Sequence, residues 1–422
     1  MLALDLIRNN PDQVKDGLAA KGDMTDLTPI MELDKEYRSL LNEGNELRAK
    51  RNRASETIAD LKRNGKDADS AIQAMRELSQ ELKSLENQTS QIKESLNHHL
   101  LRLPNLPQES VPIGQAPADN VLIRDWGTFP QFNFNPRTHL ELGNQLGLFD
   151  FKRAAKISGS GFPLYTGPGA KLERALLNFM LDVHVDKFNF TEVFPPFMVR
   201  SEAALTCGLL LKFEEEMYQS EKDTLWLIPT AEVPVTNIHR DEILPEEALP
   251  KNYVAYSACF RREAGSYGKE THGFLRLHQF NKIELVKFVQ PEHSYQELEK
   301  LVVQAEAILQ ALGLHYRVLE LCSGDLSFSA AKCYDLEVWA PGEQKWLEVS
   351  SCSNFESFQA RRGNIRYRRS VDQKVDFVHT LNGSGVATPR LLVALLETYQ
   401  QENGSVEIPA VLQPYFGQAV LI

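Results

Sequence analysis

From Leu33 to Leu103 apolar residues recur at alternating steps of four and three, and this seam restricts the first quarter of the chain more than any other feature. One run passes through Leu33, Tyr37, Leu40, Leu47, Ala54, Ile58 and Leu61, interrupted at Gly44 and Arg51. The second is cleaner, through Ala71, Met75, Leu78, Leu82, Leu85, Thr89, Ile92, Leu96 and Leu103. Heptads sustained this long specify coiled-coil helices. Arg63-Asn64-Gly65-Lys66 between them has turn chemistry, so the helices are expected to fold back antiparallel as an arm spanning about residues 31–103. At 1.5 Å per residue a ~30-residue arm extends roughly 45 Å, and burying only its seam it should project from the body.

Charge gives the arm a direction. The formal net charge is −11, which opposes non-specific nucleic-acid binding. Yet Arg48, Lys50, Arg51, Arg53, Lys62, Arg63 and Lys66 cluster against two acids, Glu56 and Asp60. Heptads more often build oligomers or scaffolds, but a basic stripe on an acidic chain can bind phosphates.

Pro104, Pro107, Pro112 and Pro117 end the second helix and make a linker, dividing a domain at 1–107 from one at 108–422. Beyond Gln108, β-rich runs and helices follow in no regular βαβ alternation, which predicts α+β with an antiparallel sheet. No apolar run approaches 18 residues and no secretory signal opens the chain, so neither membrane nor export is expected. Five dispersed cysteines without a C-x-x-C pair fit reduced thiols in the cytoplasm and suggest no structural zinc.

The chemistry concentrates between Phe260 and Glu284. Two β-forming runs, Tyr253–Phe260 and Leu275–Phe288, flank a polar, glycine-punctuated loop, which reads as a long hairpin. Arg261 and Arg262 stand at its entry and Arg276 at its exit. Guanidinium forks at strand ends suit bidentate capture of phosphate or carboxylate. Phe280 follows Arg276 by four residues and so shares its face, a fitting seat for a purine. Neither the Walker pattern nor a dinucleotide fingerprint is convincing: Gly268-Lys269 runs into Glu270, and Gly159-x-Gly161 lacks a preceding strand. Further on, Glu348 and Ser351 end a strand in KWLEVSS. Alone this is a strand end with a helix cap, though the pair could share Mg²⁺.

Phe-Arg-x-Glu, a loop and Arg-x-x-x-Phe resemble motif 2 (about 256–284) of class II aminoacyl-tRNA synthetases. Glu-Ala-Gly before the loop and Arg-x-His-Gln-Phe after it resemble the seryl-tRNA synthetase family in particular. LERALLNFMLDVHVDKFNFTEVFPP, within 169–196, looks like motif 1, and NGSGVATPRLLVALLE, at 382–397, like motif 3. The resemblance implies a bacterial-type enzyme whose N-terminal hairpin grips the long variable arm of tRNA.

It also implies roles. Arg261 holds the α-phosphate and the serine carboxylate; Glu263 accepts from the adenine amino group, Phe280 stacks on the ring and Arg390 covers its other face. Arg276 reaches the γ-phosphate, and Arg262 completes this side of the ATP site. Glu348, Val349, Ser350 and Ser351 form the ATP and Mg²⁺ strand. Thr230, Ala231, Glu232, Arg261, Glu284, Asn382 and Ser384 form the serine site. The implied reaction joins L-serine to tRNA(Ser), and to tRNA(Sec) where a host has it, through a seryl-adenylate. Motif 1 pairs subunits in this class, so a homodimer is expected. An amino-acid:carrier-protein ligase, which lacks the arm, and a catalytically inactive tRNA-binding paralogue are the alternatives. Two departures stand out. Thr206-Cys207-Gly208-Leu209-Leu210-Leu211-Lys212-Phe213 replaces the usual Gly-x-Gly-Gln-Leu-Pro-Lys-Phe, and Glu270 and His272 replace an Asp and a basic residue at the hairpin tip.

Overall fold

The computed structural model of the chain describes residues 1–264 and 273–422; Glu270 and His272 lie outside the described residues. The chain forms two compact units. One comprises Leu2–Ala19 and Asp23–Pro104, the other Asn105–Ile422 with Met1 and Ala20–Gly22.

The first unit is helical. Two long helices, Thr28–Arg63 and Asp69–Leu100, are built on the expected seam. Leu47, Leu82 and Leu85 are buried together, with Leu40 and Leu78 packed against them. Gly65, at φ +66°, follows the end of the first helix, where a left-handed residue is accommodated most easily by glycine. Near the base, Arg8 grips Asp34 through two hydrogen bonds of 2.9 and 2.8 Å, and Arg38 adds a third at 3.1 Å. These partners, Arg8 foremost, hold the Asp34 carboxyl below the usual carboxylate range. Arg48 spans the two helices to Glu86 at 2.9 Å. Arg51 is half-buried, whereas Lys50, Arg53, Lys62, Arg63 and Lys66 are exposed.

The second unit is built on an eight-stranded sheet. In chain order its strands are β1 (Val121–Trp126), β2 (Thr191–Val193), β3 (Lys251–Phe260), β4 (Gln279–Val289), β5 (Tyr316–Glu320), β6 (Lys332–Ala340), β7 (Lys345–Asn354) and β8 (His379–Ala387). Their order across the sheet is β1-β5-β6-β7-β8-β4-β3-β2. All pairs are antiparallel except β2 with β3. The α+β antiparallel expectation therefore holds, with one parallel pair at an edge.

Pleating sorts the side chains. Along β4, Ile283 and Leu285 enter the main core with Leu301, Val302 and Ala305 of helix Ser294–Ala311 and Leu391, Leu392 and Leu395 of helix Thr388–Thr398. The alternate residues Phe280, Lys282 and Glu284 share the opposite face. A polar face thus lies over a sheet whose other side is a thick apolar layer. Among the described residues no helix is long and apolar enough to cross a membrane.

Candidate active site

A cleft of ≈ 560 Å³ lies on this polar face, bounded by the ends of β3, β4, β7 and β8 and by the loops around residues 207–217, 229–232 and 327–329. Its chemistry divides in two.

At one end stands the Glu232 carboxylate, with Glu284 buried behind it. The Thr230 hydroxyl donates to Glu284 Oε2 at 2.8 Å. Asn382 Nδ2 reaches both acids, Glu284 Oε1 at 2.9 Å and Glu232 Oε2 at 3.0 Å. Gln359 Nε2 donates to Glu232 Oε1 at 2.6 Å and is itself anchored through the Thr380 hydroxyl at 2.8 Å. The Lys282 ammonium pairs with Glu284. Burial, and then the nearby Glu284, push the Glu232 carboxyl up to about 7. The ensemble offers anionic and polar oxygens in a confined space, suited to an ammonium and a hydroxyl.

At the other end are arginines. The Arg261 guanidinium lies over the Phe280 ring, 5.1 Å from its centroid, and its Nε donates to Pro229 O at 3.4 Å, next to Thr230. Arg261 thus stands where the two halves meet. Arg276 pairs with Glu263 at 2.9 Å. Arg390 donates to Glu348 O at 2.9 Å and Leu275 O at 3.3 Å, with Glu348 Oε2 at 3.5 Å. Pro389 at the start of helix Thr388–Thr398 fixes the chain direction there.

Of the residues expected from sequence, Thr230, Glu232, Arg261, Glu263, Arg276, Phe280, Glu348, Val349, Ser351, Asn382, Ser384 and Arg390 line the cleft. Four do not. The Ala231 side chain faces a second core with Val235 and Val286. Ser350 points into the sheet, donating to Ser384 O at 2.6 Å. Arg262 is exposed at the rim, its backbone N–H bonded to Glu216 O at 2.9 Å. Glu284 is fully buried beneath the floor, bonded to the lining residues Thr230, Lys282 and Asn382.

Sequence reasoning missed Lys282, Gln359 and Asp335. Lys282 was visible, since it shares the face of Phe280 and Glu284 by period two. Asp335 is paired opposite Ser351 across β6 and β7, and burial followed by the charge of Glu348 pushes its carboxyl well up. Glu348, Ser351 and Asp335 are all oxygen donors, the set Mg²⁺ prefers. Among the described residues, the ligand atoms of His139, Glu343 and Glu397 also lie within 4.8 Å of one another. Glu397 there already accepts the backbone N–H groups of His139, Gly342 and Glu343, so it ties loops together.

Residues 1–107 match the seryl-tRNA synthetase N-terminal domain, and 212–399 the tRNA synthetase class II core domain (G, H, P, S and T). The serine–tRNA ligase of Geobacillus kaustophilus is 54% identical over 423 residues, covering 100% of both chains. That of Bacillus subtilis is 53% identical over 418 residues, covering 99% of this chain and 98% of its own. The chain belongs to the seryl-tRNA synthetase family. Its fold agrees: the seryl-tRNA synthetase of Pyrococcus horikoshii, solved with ATP, superposes with a TM-score of 0.91 at 40% identity, covering 100% of this chain and 99% of its own. The cytoplasmic serine–tRNA ligase of Naegleria fowleri, solved with AMP, gives 0.86 at 28% identity, covering 100% and 98%. For a seryl-tRNA synthetase, the altered 206–213 loop changes the cleft wall: Cys207, Gly208, Leu209 and Phe213 line it.

Proposed function

We infer that this cleft activates L-serine with ATP and that the protein passes the seryl group to tRNA(Ser), as a class II serine–tRNA ligase. The observation that carries the reading is one cavity with an end lined by Glu232, Thr230, Asn382 and Ser384, an arginine-rich end, and Arg261 at their junction.

In the first step a serine carboxylate oxygen attacks the α-phosphorus, forming an O–P bond as the bond to the β-phosphate breaks and pyrophosphate leaves. Arg261 aligns the two reactants and offsets charge developing on the α-phosphate. Phe280 and Arg390 take the two faces of adenine, and Arg276 meets the terminal phosphate once its pairing with Glu263 is shared with the nucleotide. In the second step a 3′-terminal ribose hydroxyl of tRNA attacks the acyl carbon and AMP leaves. Mg²⁺ would be held by Glu348 and Ser351, and when bound it neutralises phosphate charge.

At the serine end, Glu232 receives the ammonium, while Thr230, Asn382 and Ser384 border the substrate hydroxyl. Glu284 beneath them accepts from the Thr230 hydroxyl and Asn382 Nδ2 and so fixes the orientation of both. Alanine would leave polar groups unpaired, which favours its rejection. The exposed cations of the helical unit supply phosphate contacts for tRNA(Ser), and for tRNA(Sec) where the host has it.

A homodimer is also part of the reading. Edge strand β1 exposes Val121, Leu122, Ile123 and Trp126 in one short run, an unusual edge for a chain that works alone. The five cysteines, all unbridged and buried, fit a cytoplasmic setting.

Serine-dependent ATP–pyrophosphate exchange tests the core of the proposal. Exchange with serine and little with alanine or threonine is expected. No exchange would favour the inactive tRNA-binding paralogue. Exchange with transfer to a carrier protein but not to tRNA would favour the carrier-protein ligase.

A further inference from the structure

The nucleotide end of the cleft is tied together from behind by a carboxyl that the chemistry does not use. Glu173 belongs to the helix Gly167–Asp182, whose inward residues Leu172, Ala175, Leu176, Phe179 and Met180 are apolar and buried. Glu173 is itself only 5% exposed. Its Oε1 accepts from Asn281 Nδ2 at 2.8 Å and from the Thr388 hydroxyl at 2.5 Å. The Tyr256 hydroxyl in turn donates to Asn281 Oδ1 at 3.2 Å. The second oxygen of Glu173 has no hydrogen-bond partner among the described residues.

The two residues so held are informative. Asn281 lies between Phe280 and Lys282 in β4 and, by the pleat, projects away from the cleft. Thr388 opens the helix that carries Arg390 two residues later. Glu173 Oε1 therefore joins the side chain of Asn281 to that of Thr388, reinforcing the direct bond of the Thr388 hydroxyl to Asn281 O at 3.1 Å and the pairing of Ala387 with Lys282, between the backbone that bears Phe280 and the backbone that bears Arg390. We propose that Glu173 is a positioning residue that sets the spacing of Phe280 and Arg390, and through it the fit of the nucleotide base; this rests on the reading of those two residues given above.

A carboxyl in an apolar helix face is costly to bury, so the position is poorly explained by packing alone. Burial pushes Glu173 up to about 7, which leaves a substantial neutral fraction at neutral pH. In the neutral acid Oε1 still accepts both hydrogen bonds while Oε2 carries the proton. Glutamine reproduces that arrangement of acceptor and donor; methionine fills the space but accepts neither bond. A stacking slot is sensitive to spacing, because displacements near 1 Å in a positioned site cost up to about 100-fold.

The test is ATP–pyrophosphate exchange on the full chain with Glu173→Gln, Glu173→Met, Thr388→Val and Arg390→Lys, with thermal unfolding in parallel. Glu173→Met and Thr388→Val should raise the KM for ATP about tenfold or more while the serine KM stays within about threefold. Glu173→Gln should stay within about threefold of the parent for both substrates. Thr388→Val removes one hydroxyl, and with it the bonds to both Glu173 and Asn281 O, so it tests the tie as a whole if Glu173→Met fails to fold. ATP and serine KM rising together in both variants would mean that Glu173 merely supports the fold and would overturn the proposal. If Arg390→Lys weakens ATP use while Glu173→Met and Thr388→Val do not, the positioning role alone is overturned. An unchanged ATP KM in Arg390→Lys overturns the reading of the base-binding pair, and the positioning role with it.

Discussion

Glu232 carries the clearest pH dependence of the cleft. Its carboxyl is pushed up to about 7, so near neutrality it is partly protonated before serine arrives. It is faced by Glu284, Lys282 and Arg261, with Gln359 and Asn382 donating to it. A substrate ammonium favours the ionised form, so binding should draw the proton off. Between pH 6 and pH 8 the ionised fraction rises from roughly one-tenth to nine-tenths, and the serine KM should fall about tenfold, with the ATP KM nearly level. A serine KM that stays flat across that window would mean Glu232 is ionised throughout. Glu284 calls for a different substitution. Removing its carboxylate leaves the buried Lys282 ammonium and two donors unmatched, and breaking such a pair costs about 3–5 kcal/mol. Glu284→Gln keeps the shape; it should raise the serine KM about tenfold or more and lower the melting temperature, leaving the ATP KM within about threefold. Equal loss for both substrates would reduce Glu284 to a structural residue.

Elements were legible in proportion to how local their cause is. The seam of the two long helices could be read in advance because burial there depends on residues three and four apart; every named seam position is buried or half-buried. The arginines of the hairpin and the period-two face of β4 were equally local. What escaped is non-local. Gln359 reaches Glu232 across 127 positions, and Asp335 meets Ser351 only once β6 and β7 pair. Likewise Arg48 looked like a free cation, but the facing helix brings Glu86 to it at 2.9 Å. Ser350 turned inward because a register shift opposite it re-aims this part of β7. The edge strand raises its own prediction. Leu122 and Ile123 are 56% and 41% exposed in β1. If a second copy covers this edge, Leu122→Lys with Ile123→Lys should shift the mass in light scattering from dimer towards monomer while leaving secondary structure unchanged. A double variant still fully dimeric would remove β1 from the interface.

On the scale of the whole molecule, the proposed function assigns different work to the two compact units, and this division can be tested by shortening one of them. Every proposed ATP and serine ligand lies at or beyond Thr230, whereas the basic stripe lies between Arg48 and Lys66. Leu47 and Leu85 pack in one cluster, so the helices can be rejoined there by a short turn that replaces residues 48–84. The base survives that cut, because the Arg8–Asp34–Arg38 contacts lie below it. Serine-dependent pyrophosphate exchange should then remain within about threefold of the parent, while the KM for tRNA rises steeply. Seven exposed cations, Lys50, Arg53, Lys62, Arg63, Lys66, Arg76 and Lys83, leave with the tip. Each one that meets a phosphate should flatten the slope of log affinity against log salt by about 0.9 for duplex RNA of B-DNA-like charge density. A loss of affinity with no change in salt slope would assign the tip a shape-reading role without phosphate contact. If the shortened protein charges tRNA as well as the full chain, the hairpin is a scaffold and the phosphate-binding surface must be sought on the catalytic unit.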